Sequence, residues 1–358
     1  MPKIKLVVSD FHVGRGRLMP DGGINLLEEF IFDSRFMDFL DYYSHDEFRR
    51  AEVELILNGD FMNTIMVDYN EEYPRILTEA ANVEKVRKIL DGHAEMFDAL
   101  SGFAQAPNHS VVYIAGNHDP AIHWPAVRRL LQDRLGSEIL FPGFSYTFDG
   151  VWVEHGHQHV AANRFDQDHL IIRAKELEEP ILNLPWGCFF VIDYLNPIKR
   201  KRSYVDRVQP FSRYLLSAYL LDTGFALRAT FRLLSFVLSH QFEKHKWHST
   251  PLRNTLDMIR QISIIPDLEK NGREILKSGS YHTVIMGHNH QPSYRKVGRN
   301  KLYVNVGTWN DIIHLDLENL GRQRRTTYGY IEYEKGGRIS THLKLWKGRH
   351  MVEEDMIF

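Results

Sequence analysis

Five short segments hold residue types that could bind metal and do chemistry together. They are Asp10-Phe11-His12, Gly59-Asp60-Phe61-Met62-Asn63, Gly116-Asn117-His118-Asp119, Glu154-His155-Gly156-His157-Gln158-His159 and Gly287-His288-Asn289-His290. Each supplies carboxylate, imidazole or amide, donors of intermediate to hard character that suit first-row divalent cations. Residues at i and i+2 on an extended segment project to one side. Asp10 with His12, and His288 with His290, can therefore converge on one ion. The glycines allow tight turns and close backbone approach. With 19 histidines and the one cysteine, Cys188, the chain has no disulfide framework and no multi-cysteine metal site. That usage suits a reducing compartment.

The elements that must position these segments are legible from periodicity. Short apolar runs at Ile4–Val8, Val53–Leu57 and Ser110–Ala115 predict buried strands, each ending at one of the segments. Phe144–Phe148 and Val151–Val153 flank Asp149-Gly150, a hairpin signal. Further strands are expected at His282–Met286, Leu302–Val306, Tyr328–Tyr333 and Ile339–Trp346. Helical spacing marks Asn25–Tyr43, a long helix over Ile76–Leu100, and Ala126–Leu135. This alternation predicts α/β layers, in which sites form just beyond the carboxyl ends of the strands. Asp91-Gly92-His93 repeats the Asp-x-His spacing, but inside a helical pattern, where i and i+2 do not face each other. It reads as background. His45, His93, His245 and His248 read as surface or core residues.

The 358 residues suit roughly two domains, or one large α/β domain with an insertion. Hydrophobic residues at 43% and charged residues at 25% exclude a disordered chain. The balance of 44 − 46 = −2 excludes polyanion binding through net charge. The opening apolar run is too short for a signal-peptide core. No stretch of about 20 apolar residues occurs; the closest, Ile181–Ile192, contains Pro185 and Gly187. A cytoplasmic protein, soluble or held at the inner face of a membrane, is expected. The texture changes over residues 164–279. Gln167–Glu179 reads as a charged helix, and two apolar stretches follow, separated by Lys199-Arg200-Lys201-Arg202. Between Asn196 and Thr250 stand ten Lys/Arg and three Asp/Glu, a local +7 that leaves 34 − 43 = −9 elsewhere. Such asymmetry marks an inserted element with its own task. Residues 1–163 and 280–358 are read as the core, with 164–279 as a helical insertion over the site. Phe225, Phe231, Leu233, Leu234, Phe236, Val237 and Leu238 could form an apolar face with Arg228 and Arg232 beside it. Three uses are open: a lid packed on the body, a membrane-binding surface, or an oligomer interface.

In this order the segments resemble the calcineurin-like metallophosphoesterase superfamily, whose pattern runs Asp-x-His, Gly-Asp, Gly-Asn-His-Asp/Glu, a lone His and Gly-His-x-His. The resemblance spans residues 10–290. It implies a four-layer αββα sandwich and a two-metal centre, with manganese first and iron or zinc compatible. Carried over by position, Asp10, His12 and His290 would hold one ion, Asn117, His155 and His288 the other, and Asp60 would bridge them. His118 would sit over the substrate phosphate, with Asp119 orienting its ring. His155, His157 and His159 share one side of an extended segment; the family pattern takes the first after the strand. Two divalent ions so placed would activate water for attack on phosphorus.

The implied protein is a metal-dependent hydrolase of phosphoester or pyrophosphate bonds. The insertion is similar in place to that of UDP-2,3-diacylglucosamine hydrolases, which cleave a lipid-linked pyrophosphate. This chain departs from them at His118, where they carry Arg, and at His157, where they carry Asp. A soluble phosphodiesterase, a Ser/Thr-type protein phosphatase and a non-catalytic scaffold of the same fold are the alternatives. A nuclease fits less well, because the basic insertion is also apolar.

Overall fold

Alternation along each strand sorts its side chains into two layers. In Lys3–Val8, Val7 points into a dry seam with Ile56, Val112 and Ile114, while Leu6 and Val8 point the other way, toward helices. Val153, Ile285 and Val304 close that seam from a second sheet. Each such side chain contributes about 1.5–3 kcal/mol on full burial, so the two sheets are held face to face. The computed structural model describes residues 2–209, 211–241, 266–315, 320–334 and 336–348.

From edge to edge the first sheet runs Ile339–Leu345, Thr327–Tyr333, Lys3–Val8, Glu52–Asn58, His109–Ile114 and Ile139–Leu140. The last four strands are mutually parallel, and the first two join antiparallel. The second sheet runs Ser293–Val297, Lys301–Asn305, Thr283–Met286, Val151–Glu154 and Ser145–Phe148, with the three central strands parallel. Helices Asp33–Ser44, Glu79–Gly92, Ala94–Gln105 and Pro125–Leu135 bury Phe36, Phe39, Val86, Phe97, Leu100 and Leu131 beside Leu6, Val8, Leu55 and Leu57. Helix Leu268–Lys277 covers the second sheet, placing Leu268 and Leu276 near Val284, Met286 and Tyr303. The result is the expected αββα sandwich. Among the described residues, no helix is long and apolar enough to cross a membrane.

Three expected helices differ. Over Asn25–Tyr43 only Asp33–Ser44 is helical. Glu28 is the reason: its buried carboxylate accepts from the amides of Gly14, Gly16 and Phe30, which holds the preceding stretch as a loop. Ile76–Leu100 forms two helices that break at His93, whose ring is drawn to Asp33 at 2.5 Å and whose backbone leaves helical geometry (φ −130°, ψ 37°). Gln167–Glu179 is not helical. Its Ile171–Ile172 pairs as a short strand with Ile181–Leu182, which satisfies those backbone groups across the turn.

Besides Leu268–Lys277, which packs on the second sheet, helices Trp186–Phe189, Asn196–Lys199, Phe211–Leu221 and Thr223–Gln241 lie within 164–279, with a wider-pitched turn at Phe190–Leu195. Val208–Gln209 pairs with Asp311–His314 and ties this region to the sandwich. Residue 210 and residues 242–265, with His245 and His248, lie outside the described residues.

Candidate metal centre

The five segments follow five parallel strands, three in one sheet and two in the other, and the strand ends meet at one edge of the sandwich. Backbone bonds lace the loops together. The Asp10 amide donates to Gly59 O, the His12 amide to Asp60 O, the Thr64 amide to His118 O and the Gly287 amide to His155 O, at 2.9–3.2 Å. Asp10, His12, Asp60, His288 and His290 all hold left-handed backbone, with φ between 51° and 69°. Non-glycine residues seldom adopt it, and such strain gathers where side chains must be aimed. Two glycines make room. A Cβ on Gly116 would lie 2.1 Å from Asp60 Oδ1, and one on Gly287 would lie 2.1 Å from Ser9 Oγ and 2.6 Å from Asp10 Oδ2.

The side chains come together in three overlapping sets, Asp10–His12–His290, His12–Asp60–His118 and Asp60–His155–His288, each with its donor atoms within 4.8 Å of one another. Asp10 Oδ1 is 3.2 Å from His290 Nε2, and His12 Nε2 is 3.2 Å from the same nitrogen. Asp60 Oδ2 is 3.1 Å from His155 Nε2 and 4.0 Å from His12 Nε2, so its carboxylate stands between the two outer sets. Its Oδ1 accepts from the His118 amide at 2.7 Å. Asn117 lines the same cavity of about 200 Å³ as His12, Asp60, His118, His288 and His290.

The electrostatics call for positive charge here. Asp10 Oδ1, Asn117 Oδ1 and His155 Nε2 are buried without a hydrogen-bond partner. His155 Nδ1 donates to Asn58 O at 3.0 Å, which leaves Nε2 facing the carboxylate of Asp60. Burial would lower the His155 pKa, but Asp60 and Asp10 raise it to about 10. Burial would likewise raise the Asp10 pKa, yet His155 and His290 hold it at about 2. Carboxylates and imidazoles that demand a cation between them fit divalent metal ions, and the backbone carbonyl on His155 is the outer partner that such ligands use.

Expectation and structure part over Asp119. Its carboxylate does not reach the His118 ring. It accepts instead from the amides of Gly116 (2.7 Å) and Phe61 (3.1 Å) and from the Tyr113 hydroxyl (2.8 Å), so it braces the loops. The His118 ring donates from Nδ1 to Asn63 Oδ1 at 3.0 Å. Asn63 stands in the Gly59–Asn63 segment, where its spacing suits a plain turn as well as this contact. Two other residues were missed. Asn163 Nδ2 lies 3.3 Å from His288 Nε2, and Glu29 Oε2 lies 3.7 Å from His12 Nδ1. The Glu28-Glu29 pair, acidic amid apolar residues, was the available signal for the second. His157 is buried with its ring 5.3 Å from that of His155, and His159 pairs with Glu154 at 2.6 Å; neither joins the three sets. Asn305 Nδ2 donates to Gly287 O at 2.7 Å and supports the last loop. The far wall of the cavity comes from 164–279, through Gly187, Phe190, Val191, Leu195, Asp206 and Arg207.

No family model matches the chain, and no curated protein does. Solved structures similar to it include a predicted phosphoesterase from Streptococcus pneumoniae TIGR4 (10% identity, 97% of this chain and 92% of that one, TM-score 0.30). A dimetal phosphatase from Danio rerio is also similar (13%, 97% and 100%, TM-score 0.36), as is Vps29 from Entamoeba histolytica (11%, 96% and 99%, TM-score 0.28). At such scores the neighbours add nothing to what topology and ordered motifs already carry. Two facing sheets, helices outside and ligand-bearing loops at one edge are the arrangement that the resemblance to the calcineurin-like metallophosphoesterases implied.

Proposed function

We propose that this protein is a dinuclear metal-dependent hydrolase of phosphoester or pyrophosphate bonds. The observation that carries the reading is the position of Asp60, whose carboxylate stands between Asp10–His12–His290 on one side and His155–His288 on the other. Asp10, His12 and His290 would hold one cation, Asn117, His155 and His288 the other, and Asp60 both. Two divalent cations, manganese foremost, would supply Lewis acidity and an activated water when bound. Asn63 fixes the His118 ring through Nδ1 and leaves Nε2 to donate to a phosphoryl oxygen or to the leaving oxygen. Asp119 keeps the loops of Asp60 and His118 in register. A scaffold without catalysis would have no need to keep all seven ligands.

For substrate, a lipid-linked nucleotide is favoured, because Phe190, Val191, Leu195 and Ile312 make part of the cavity wall apolar beside the polar ligands. Such a substrate would be met at the cytoplasmic face of a membrane. The 164–279 region then serves as a lid. Asp60→Asn tests the centre. It should cost more than the roughly 10–100-fold typical of outer-shell partners in hydrolysis of a chromogenic phosphodiester with manganese, and should lower bound metal by elemental analysis. Unchanged turnover would overturn the reading. A panel of nucleotide, lipid-linked and peptide phosphates then tests the substrate class.

A further inference from the structure

Helix Thr223–Gln241 is apolar on two sides, and among the described residues only one side is packed. Ala226, Phe236 and Val237 are buried, and the Phe236 ring meets those of Trp186 and Phe190 at 5.4 and 5.9 Å. The other side carries Leu227, Phe231, Leu234 and Leu238, spaced i, i+4, i+7 and i+11, and these are 59%, 75%, 57% and 57% exposed. The end of the preceding helix, Phe211–Leu221, presents Leu220 and Leu221, 73% and 88% exposed. Scattered exposed leucines need no explanation, but a continuous exposed stripe marks a binding surface.

Charge says what covers it. Arg228 and Arg232 run beside the stripe, about a third of a turn round the helix. They face a groove of about 670 Å³ that also takes in Lys201, Phe231 and the Arg75–Asp193 ion pair. Among the described residues, Lys201, Arg228 and Arg232 pair with no carboxylate, and Thr223–Gln241 contains no Asp or Glu. A second copy docking through the same patch would bring the two arginine rows together. An exposed apolar stripe with a basic flank suits the surface of an anionic bilayer, with side chains entering the acyl boundary and arginines meeting phosphate headgroups.

We infer that the 211–241 helical hairpin is a membrane-docking element that seats on anionic phospholipid through Leu220, Leu221, Phe231 and Leu234, with Lys201, Arg228 and Arg232 binding headgroup phosphate. The inference extends the lipid-linked reading of the substrate and is separable from it. Full-length protein is sedimented with vesicles of phosphatidylcholine alone and of phosphatidylcholine mixed with phosphatidylglycerol. Binding is expected to the mixed vesicles and to weaken with salt. Arg228→Glu with Arg232→Glu should weaken it at least about 30-fold, from roughly fivefold for each basic residue lost near an anionic surface. Phe231→Ser with Leu234→Ser should weaken it while melting temperature and hydrolysis of a soluble phosphodiester stay unchanged. Wild-type protein that ignores both vesicle types overturns the proposal. So does a wild-type dimer in light scattering that Phe231→Ser with Leu234→Ser turns into monomer. Vesicle binding without hydrolysis sinks the catalytic reading alone, and hydrolysis without binding sinks this one alone.

Discussion

His118 and Asn63 form a pair: the imidazole Nδ1 donates to the amide Oδ1 at 3.0 Å, across loops that follow neighbouring parallel strands. The pair takes over the orienting role that the family resemblance implies for Asp119. Asn63→Ala should reduce kcat roughly 10–100-fold, the scale seen when an orienting partner is lost. KM and bound metal should change little, and Asn63→Asp should restore much of the rate. Steady-state kinetics with elemental analysis checks this, and an undiminished kcat in Asn63→Ala would remove the orienting role.

Asp119 should behave as a brace. Asp119→Ala leaves the Gly116 amide, the Phe61 amide and the Tyr113 hydroxyl without their acceptor. Each buried group left unsatisfied costs about 1–3 kcal/mol. A large fall in urea-unfolding midpoint is expected, and a variant as stable as the parent would contradict the assignment.

Gly116 and Gly287 face the carboxylates of Asp60 and Asp10 with no space for a methyl group. Gly116→Ala and Gly287→Ala should each destabilise by about 1–3 kcal/mol, as overpacking does. Both should displace a ligand, so metal content should fall with stability. A variant that keeps full metal loading would show that the loops can yield.

Lys199, fully buried, bonds to Glu29 and to Asp206, joining the helix at Asn196–Lys199 to the loop behind His12. Lys199→Met strands two carboxylates in the interior. Removing one partner of a buried pair costs about 3–5 kcal/mol, so the midpoint of unfolding should drop sharply. A loss under about 1 kcal/mol, the range of exposed pairs, would mean that water reaches this site.

His93 gives a pH signature away from the metal centre. Burial alone would lower its pKa, but the hydrogen bond to Asp33 and the Glu28 carboxylate 3.5 Å from Nε2 raise it from 6.5 to about 9. A group raised on folding contributes its full stability below its unfolded value and loses it as pH climbs through the folded one. The difference in melting temperature between the parent and His93→Gln should therefore be largest below about pH 6.5 and shrink toward pH 9 and above. A difference that grows with pH would reverse the assignment.

Much of this was legible in the chain because parallel strands buried on both faces leave continuous apolar runs, and the ligands follow them directly. Lys3–Val8, Glu52–Asn58 and His109–Ile114 fall within a residue or two of expectation. Choosing His155 over His157 and His159 followed the same logic of closeness to the strand end. What stayed hidden depends on where side chains turn. Glu28 converts an amphipathic pattern into a loop by capturing three amides, and periodicity cannot register that. Spacing likewise could not tell that Asp119 turns toward Gly116 while Asn63 turns toward His118.

The left-handed geometry at five candidate ligands means that the socket is shaped by the polypeptide and not by its occupant. A preformed chelate has little reorganisation left to undergo when it is filled. Exchanging one transition metal for another should thus retune reactivity while leaving the contour of the mouth as it was. Which cation works in the cell then becomes a question of supply more than of shape.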